Sequence, residues 1–267
     1  MPLLILLPVL GAALILRRQL KLPDSLAIPC AVSGILIGVY LGALTGFLQG
    51  TVYVLTGLGM FLLLWEFYLN TKDRTLPFSF PLLMFLALPV LYWLVHAESK
   101  PMLWDEYSHW GIYIREMADT HQLYSTETNA AHPDYPPGAS LWQYFFTLLP
   151  GYSEGAVYLA QFVLLITPLL VLFEKINVRQ WFWVPALLSL LALGLANFGH
   201  GIVSLYTDHI LSVWYAGVML QALSSDKTRL LEIGLLSMPL SVILLIKDAG
   251  LPLVASAVFM VICLLFY

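Results

Sequence analysis

Apolar residues run along this chain in long blocks separated by short polar breaks. A helix needs about 20 consecutive apolar residues to cross the hydrocarbon core of a bilayer. Blocks of that order occupy residues 2–16 (a short one), 26–46, 50–69, 78–97, 155–173, 181–199, 205–223, 231–246 and 249–267. Backbone amides in lipid must find partners within their own segment, which makes each block a helix. Pro81, Pro89, Pro168 and Pro185 fall inside blocks, where membrane helices tolerate proline better than soluble ones do. The pattern predicts an all-α polytopic membrane protein with about nine transmembrane helices. N-terminal transmembrane helices (1–97) lead into a loop (98–154), and C-terminal transmembrane helices (155–267) follow. Residues 139–150 are apolar but too short to span. With Trp142, Tyr144, Phe145 and Phe146 they read as a helix lying at headgroup level.

Composition sharpens this picture. The chain has 267 residues, 60% hydrophobic and 10% charged, against roughly 25% charged in soluble domains. Too few charges exist to cover a watery surface, so lipid is the main solvent. A net charge of −4 argues against a nucleic-acid partner, which selects a basic face. Cys30 and Cys263 sit in apolar runs and form neither a disulfide framework nor a metal-ligand spacing. Met1 leads straight into an apolar run, so no cleavable signal pattern is present, and no internal repeat or low-complexity tract appears.

Charge also orients the chain. Arg17, Arg18 and Lys21, then Lys72 and Arg74, then Lys175 and Arg179, then Lys227 and Arg229 occupy four short loops. With nine spans these fall on one side, nine of the twelve basic residues in all, and that side is inside. Lys100, Arg115 and Lys247 fall outside. So do all six histidines, at His96, His109, His121, His132, His200 and His209. Candidate chemistry is therefore expected at the outer face.

The one long polar stretch is 98–138. Residues 104–119 read as an amphipathic surface helix, with Asp105, His109 and Ile112 on one face and Trp104, Tyr107 and Trp110 dipping into lipid. Pro133, Pro136 and Pro137 exclude a helix over 129–138. Asp105 and Glu106 point about 100° apart on a helix, so only one faces a given site. Two readings of this pair stand: a carboxylate at a partly desolvated interface suits a general base, and acidic residues in a first turn stabilise the positive end of the helix dipole. His109, His132 and Asp134 with Asp105 have the chemistry of a zinc or manganese site, although no compact HxxxH or HExxH spacing occurs. Otherwise these histidines bond headgroups or loop carbonyls. Asp208 and His209 form an ionisable pair at a span edge, a costly arrangement that marks function. Glu66 and Glu232 read as ordinary residues near inner span ends.

The run Asp105-Glu106, then Arg115-Glu116-Met117 on the same helix, then Pro136-Pro137 before an aromatic segment (Trp142, Tyr144, Phe145) resembles the first outer loop of GT-C-type membrane glycosyltransferases. The likeness is to the bacterial branch with the aminoarabinose transferase and the protein mannosyltransferases. Gly151-Tyr152-Ser153-Glu154, Asp208 in LYTDHILSVWY, and Lys247-Asp248-Ala249-Gly250, similar to the family's Lys-acid-x-Gly motif, extend it over about residues 100–255. Departures are the four predicted spans before the loop, where members have one, Tyr135 where a lysine often precedes Pro-Pro, and an end inside an apolar run (VICLLFY), as in a truncated member.

The resemblance implies a hexosyltransferase-like enzyme in a bacterial cytoplasmic membrane, active at the periplasmic face. It would transfer a sugar, with inversion, from a polyprenyl-phosphate donor to a glycan, lipid or protein acceptor. Asp105 would be the base and Glu106 would orient the acceptor. Arg115 or Lys247 would meet the charge on the leaving phosphate. His109, His132, Asp134, Tyr135, Asp208, His209 and Asp248 would line the substrate site, with a divalent metal as the one cofactor to consider. Three other readings compete. A transporter or flippase for lipid-linked saccharides would place ionisable groups at the midplane and show broken helices in repeated halves. A polysaccharide polymerase or ligase would rely on several outer arginines. A non-catalytic membrane scaffold needs neither.

Overall fold

A computed structural model describes residues 2–73, 79–176, 180, 183–185, 187–189, 202–225 and 230–266. Among these every regular element is helical. A 3-10 turn at Pro2–Ile5 enters α1 (Leu6–Leu20), followed by α2 (Asp24–Leu44), α3 (Leu48–Asp73) and α4 (Phe80–His96). The loop carries a π-helical turn (Glu106–Trp110) that opens into α5 (Gly111–Thr120), then α6 (Gly138–Thr147). Next come α7 (Glu154–Ile166), which tightens into a 3-10 helix over Thr167–Phe173, then α8 (Thr207–Ser224), α9 (Leu230–Leu235), α10 (Ser237–Ile246) and α11 (Gly250–Phe266). Local chemistry sets the starts: Ser79 Oγ accepts from the Leu82 amide at 3.2 Å and Ser153 Oγ from Ala156 at 3.3 Å, satisfying N-terminal amides that have no helical partner.

Among the described residues, four helices are long and apolar enough to cross a membrane: Pro2–Leu20, Asp24–Leu44, Leu48–Lys72 and Glu154–Phe173. The expectation of about nine is corrected on that point. Phe80–His96, Leu230–Ile246 and Gly250–Leu264 are apolar but shorter, and the expected span 231–246 is broken by a turn at Leu236. The helix Thr207–Ser224 has the length, but Asp208, His209 and Gln221 lower its apolar content. Most of the expected span 181–199 lies outside the described residues, as do Arg74, Arg179, His200, Lys227 and Arg229.

Two long helices lie innermost. α2 packs against α1, α3, α4, α6, α10 and the 3-10 end of α7. The Glu154–Phe173 helix is 89% buried over its most apolar window, whereas α3 is only 22% buried over its own. α3 turns Val54, Leu58, Phe61, Leu64, Trp65 and Phe67 outward. An apolar exterior of this extent suits lipid rather than water.

α6 overturns the headgroup-level expectation for 139–150. All ten residues of Gly138–Thr147 are buried. Trp142 Nε1 donates to the Ala160 carbonyl at 2.9 Å and Gln143 Nε2 to Gln161 Oε1 at 3.1 Å, contacts that lie six and seven residues into the α7 helix. The aromatic residues that suggested an interface belong to the protein core, because α2, α5, α7 and α10 enclose the helix.

Polar groups collect at the two ends of the bundle. At one end, Arg18 Nε contacts both Glu66 carboxylate oxygens at 2.9 and 2.8 Å and its Nη2 donates to Asn70 Oδ1 at 2.8 Å. Arg17 pairs with Asp24 at 3.1 Å, and Ser79 Oγ donates to the same carboxylate at 2.6 Å. Lys21, Lys72 and Lys175 share this end. Glu66, 1% exposed, and Glu232, 6% exposed, are buried rather than ordinary interface residues. The other end holds the C-terminus of α4, the 97–137 loop and the N-termini of α7, α8 and α11, with His96, His109, His121, His132 and His209.

Candidate functional site

The loop owes its shape to its first turn. Glu106 lies three residues after Leu103 and reaches back to it: Glu106 Oε2 accepts from the Met102 and Leu103 amides at 2.8 and 3.0 Å. This is the acidic half of a capping box. Glu106 Oε1 accepts from the Leu205 amide at 2.9 Å, and the Tyr158 phenol hydrogen-bonds the same carboxylate. A side chain 1% exposed thus ties the loop to the 204–206 segment and to α7. The next residues widen into the π turn, where the Gly111 amide donates to the Glu106 carbonyl. A Cβ on Gly111 would sit 2.5 Å from that carbonyl oxygen, so the turn requires glycine. Such turns are frequent at functional sites.

Tyrosines hold the rest of the loop. Tyr113 stacks on Tyr124 with ring centroids 4.0 Å apart. The Tyr113 hydroxyl donates to the His132 carbonyl and the Tyr124 hydroxyl to the Tyr135 carbonyl at 2.6 Å. Thr128 Oγ1 donates to Glu116 Oε1 at 2.7 Å. Trp110 is buried and stacks on Tyr135 at 5.4 Å. It does not dip into lipid, whereas Trp104 and Tyr107 are exposed. Residues 129–137 are irregular, as their prolines require. At their end Gly138 abuts Leu245, whose carbonyl oxygen a Cβ would meet at 2.5 Å. That close approach brings Tyr135 to Lys247, with Nζ 5.8 Å from the ring centroid.

Side chains from four segments meet here. The half-buried Asp105 carboxylate is hydrogen-bonded by the Tyr206 phenol, and burial followed by Asp105 pushes that phenol above its ordinary range. His109, buried, has Nδ1 2.8 Å from Ser108 Oγ. Its ring meets His132 edge-on at 5.3 Å, and His132 stacks on Tyr135 at 4.6 Å. Lys247 Nζ donates to Asp208 Oδ1 at 2.9 Å, so the lysine pairs across to α8 rather than with its neighbour Asp248. Burial lowers the His109 pKa first; Asp105 opposes this, while His132 and Lys247 add to it. A neutral imidazole beside an acidic and a basic side chain can relay or orient a proton. Among the described residues, no three His, Cys, Asp or Glu side chains gather in a metal-holding set.

Other expected residues lie apart. Arg115 pairs with Glu154 at 3.1 Å and with the Tyr152 phenol, which chiefly raises its pKa. The Arg115-Glu116-Met117 triplet faces three ways, since Glu116 serves Thr128 and Met117 is in the core. Asp134 and Asp248 are exposed, and His209 is buried on α8. Tyr206, Tyr158 and Gln161 were not anticipated. Gln161 Nε2 donates to the Tyr206 carbonyl at 3.1 Å, which fixes the residue that faces Asp105. Polar side chains spaced three apart in an apolar helix (Tyr158 and Gln161) are the signal that points to them. No family model matches the chain, and no curated protein or solved structure is similar to it.

Proposed function

We propose that this chain is a GT-C-type glycosyltransferase that moves a sugar from a polyprenyl-phosphate donor to an acceptor at the loop end of the bundle. The observation that supports it is the gathering of Asp105, His109, Tyr206 and Lys247 where the apolar helices end. A lipid-anchored donor presents its phosphate at that level. Asp105 accepts the proton as the acceptor oxygen attacks the anomeric carbon. The bond from that carbon to the phosphate oxygen breaks, with inversion, and the released polyprenyl phosphate gains negative charge. Lys247, steadied by Asp208, meets that charge. Glu106 positions the loop, and Arg115 lies on the acceptor side, with Tyr152 and Glu154. In this reading the loop end faces the periplasm of a bacterial cytoplasmic membrane.

The test is sugar transfer in membranes supplied with polyprenyl-phosphate donors. Asp105→Asn is expected to lower the rate by roughly 10²–10⁴-fold with the chain still accumulating; full transfer by that variant removes the assignment. A second reading, a flippase for lipid-linked saccharides, is favoured by the break between α9 and α10 and by the buried short helix α6, since broken helices mark transporter sites. Donor movement across reconstituted vesicles without transfer selects it.

A further inference from the structure

The deeply buried Glu154–Phe173 helix changes geometry part-way along. α7 gives way to a 3-10 run of seven residues, Thr167–Phe173, with Pro168 in its first turn. Such runs rarely exceed about 3–4 residues, and inside a longer helix they often mark a hinge. Its neighbours are interrupted where they face it. Pro29 lies within α2, Pro239 lies just past the break between α9 and α10, and Gly217 of α8 packs on Pro168. Pro29, Pro168, Gly217 and Pro239 border one crevice, with room for only about 10 Å³. A Cβ on Gly217 would meet Pro168 Cβ and its carbonyl oxygen at 2.5 Å, so no side chain interlocks α8 with the 3-10 helix at that point.

Each proline lacks the amide that would serve the carbonyl four residues earlier. At two of them a side chain from another helix supplies the donor. Trp214 Nε1 of α8 donates to the Leu164 carbonyl at 2.9 Å, and Cys30 Sγ of α2 donates to the Leu235 carbonyl at 3.8 Å. Bending at these places strains side-chain contacts, one of them to a weakly donating thiol, instead of a backbone ladder. The two sides of this layer differ. Towards the loop, Trp142, Tyr144, Phe146 and Trp214 are fully buried and fill the core. Away from it, Ser25 joins α2 to both neighbours. Its amide donates to Glu174 Oε2, just past the 3-10 helix, at 3.0 Å, and its Oγ donates to Gln221 Oε1 on α8 at 3.1 Å.

We propose that Pro29, Pro168, Gly217 and Pro239 form a hinge layer, and that Ser25 latches the far ends of the 3-10 helix and α8 to α2. Opening the latch swings those ends away from α2 while the packed loop side stays in place. The inference stands apart from the chemistry at the loop end and holds for a transferase or a flippase alike. About 10 Å of 3-10 helix lies beyond Pro168, and a bend of about 20° displaces its end by roughly 4 Å. The test is pulsed electron–electron double resonance on the full chain in lipid nanodiscs, in a Cys263→Ser background that keeps the buried Cys30. One pair of spin labels, at Gln19→Cys and Lys175→Cys, spans the latch. A second, at Gln122→Cys and Ser212→Cys, stays on the loop side, and all four positions are exposed. Glu174→Ala is expected to lengthen the first distance by roughly 4 Å and to leave the second unchanged. Adding Pro168→Ala, which restores the missing amide, should cancel the lengthening. Adding Trp214→Phe instead, which takes the donor from the freed carbonyl, should increase it. An unchanged first distance in Glu174→Ala, an equal shift of both pairs, or a shift indifferent to both added substitutions overturns the proposal.

Discussion

The two ends of the bundle handle charge differently. Away from the loop, Arg18 contacts both oxygens of Glu66 and also bonds Asn70, while Arg17 and Ser79 share Asp24. Both carboxylates there are buried and closely partnered. At the loop end, Asp105 is half-buried against a phenol, and Lys247 meets an Asp208 that is 60% exposed. Burying an ion costs several kcal/mol unless its partners are close. The first arrangement therefore reads as framework. The second keeps its charges within reach of a ligand, which is what a reacting site needs.

The largest effect that tests this contrast is on the framework side. Glu66→Ala leaves Arg18 facing a buried gap and is expected to destabilise the chain by about 3–5 kcal/mol, read as a lowered unfolding temperature in detergent; a change near zero breaks the comparison. Glu106→Gln comes next. It turns an acceptor oxygen into a donor against the Met102, Leu103 or Leu205 amides, at about 1–3 kcal/mol, and hydrogen exchange over 103–137 should accelerate more than in the spans. Lys247→Gln removes an exposed pair worth about 0.2–1 kcal/mol, so stability should barely move, while under the proposed transfer reaction donor KM should rise. The smallest effect is one of pH. Burial depresses the His109 pKa, so the unfolded chain binds more protons as pH falls below about 6.5. Stability is then fully present above that pH and declines on acidification towards the folded pKa; His109→Gln should flatten this slope.

Block length and apolarity made the helical, lipid-facing character legible, because lipid leaves the backbone no alternative to helix. Span number was less legible. Composition alone does not distinguish a helix facing lipid from one enclosed by protein, so the aromatic run of α6 read as interfacial when it is core. Within the loop, Asp105 meets the Tyr206 phenol and Glu106 the neighbouring Leu205 amide. Which of the two turned inward depended on the amide of Leu205, distant in sequence. The pairing of Lys247 with Asp208 instead of Asp248 is of the same kind. Local spacing proposed the neighbour, and the meeting of α8 with the end of α10 supplied the partner.

The π turn at Glu106–Trp110 carries a consequence for how this loop can change over generations. It holds one residue more than a regular turn, which re-phases everything downstream by about 100°. Loss of a single codon there would restore an ordinary helix and swing Arg115 away from Tyr152 and Glu154, while Asp105 and Glu106, upstream, kept their bearings. The two halves of the loop can thus be re-aimed independently by the shortest in-frame deletion a genome makes.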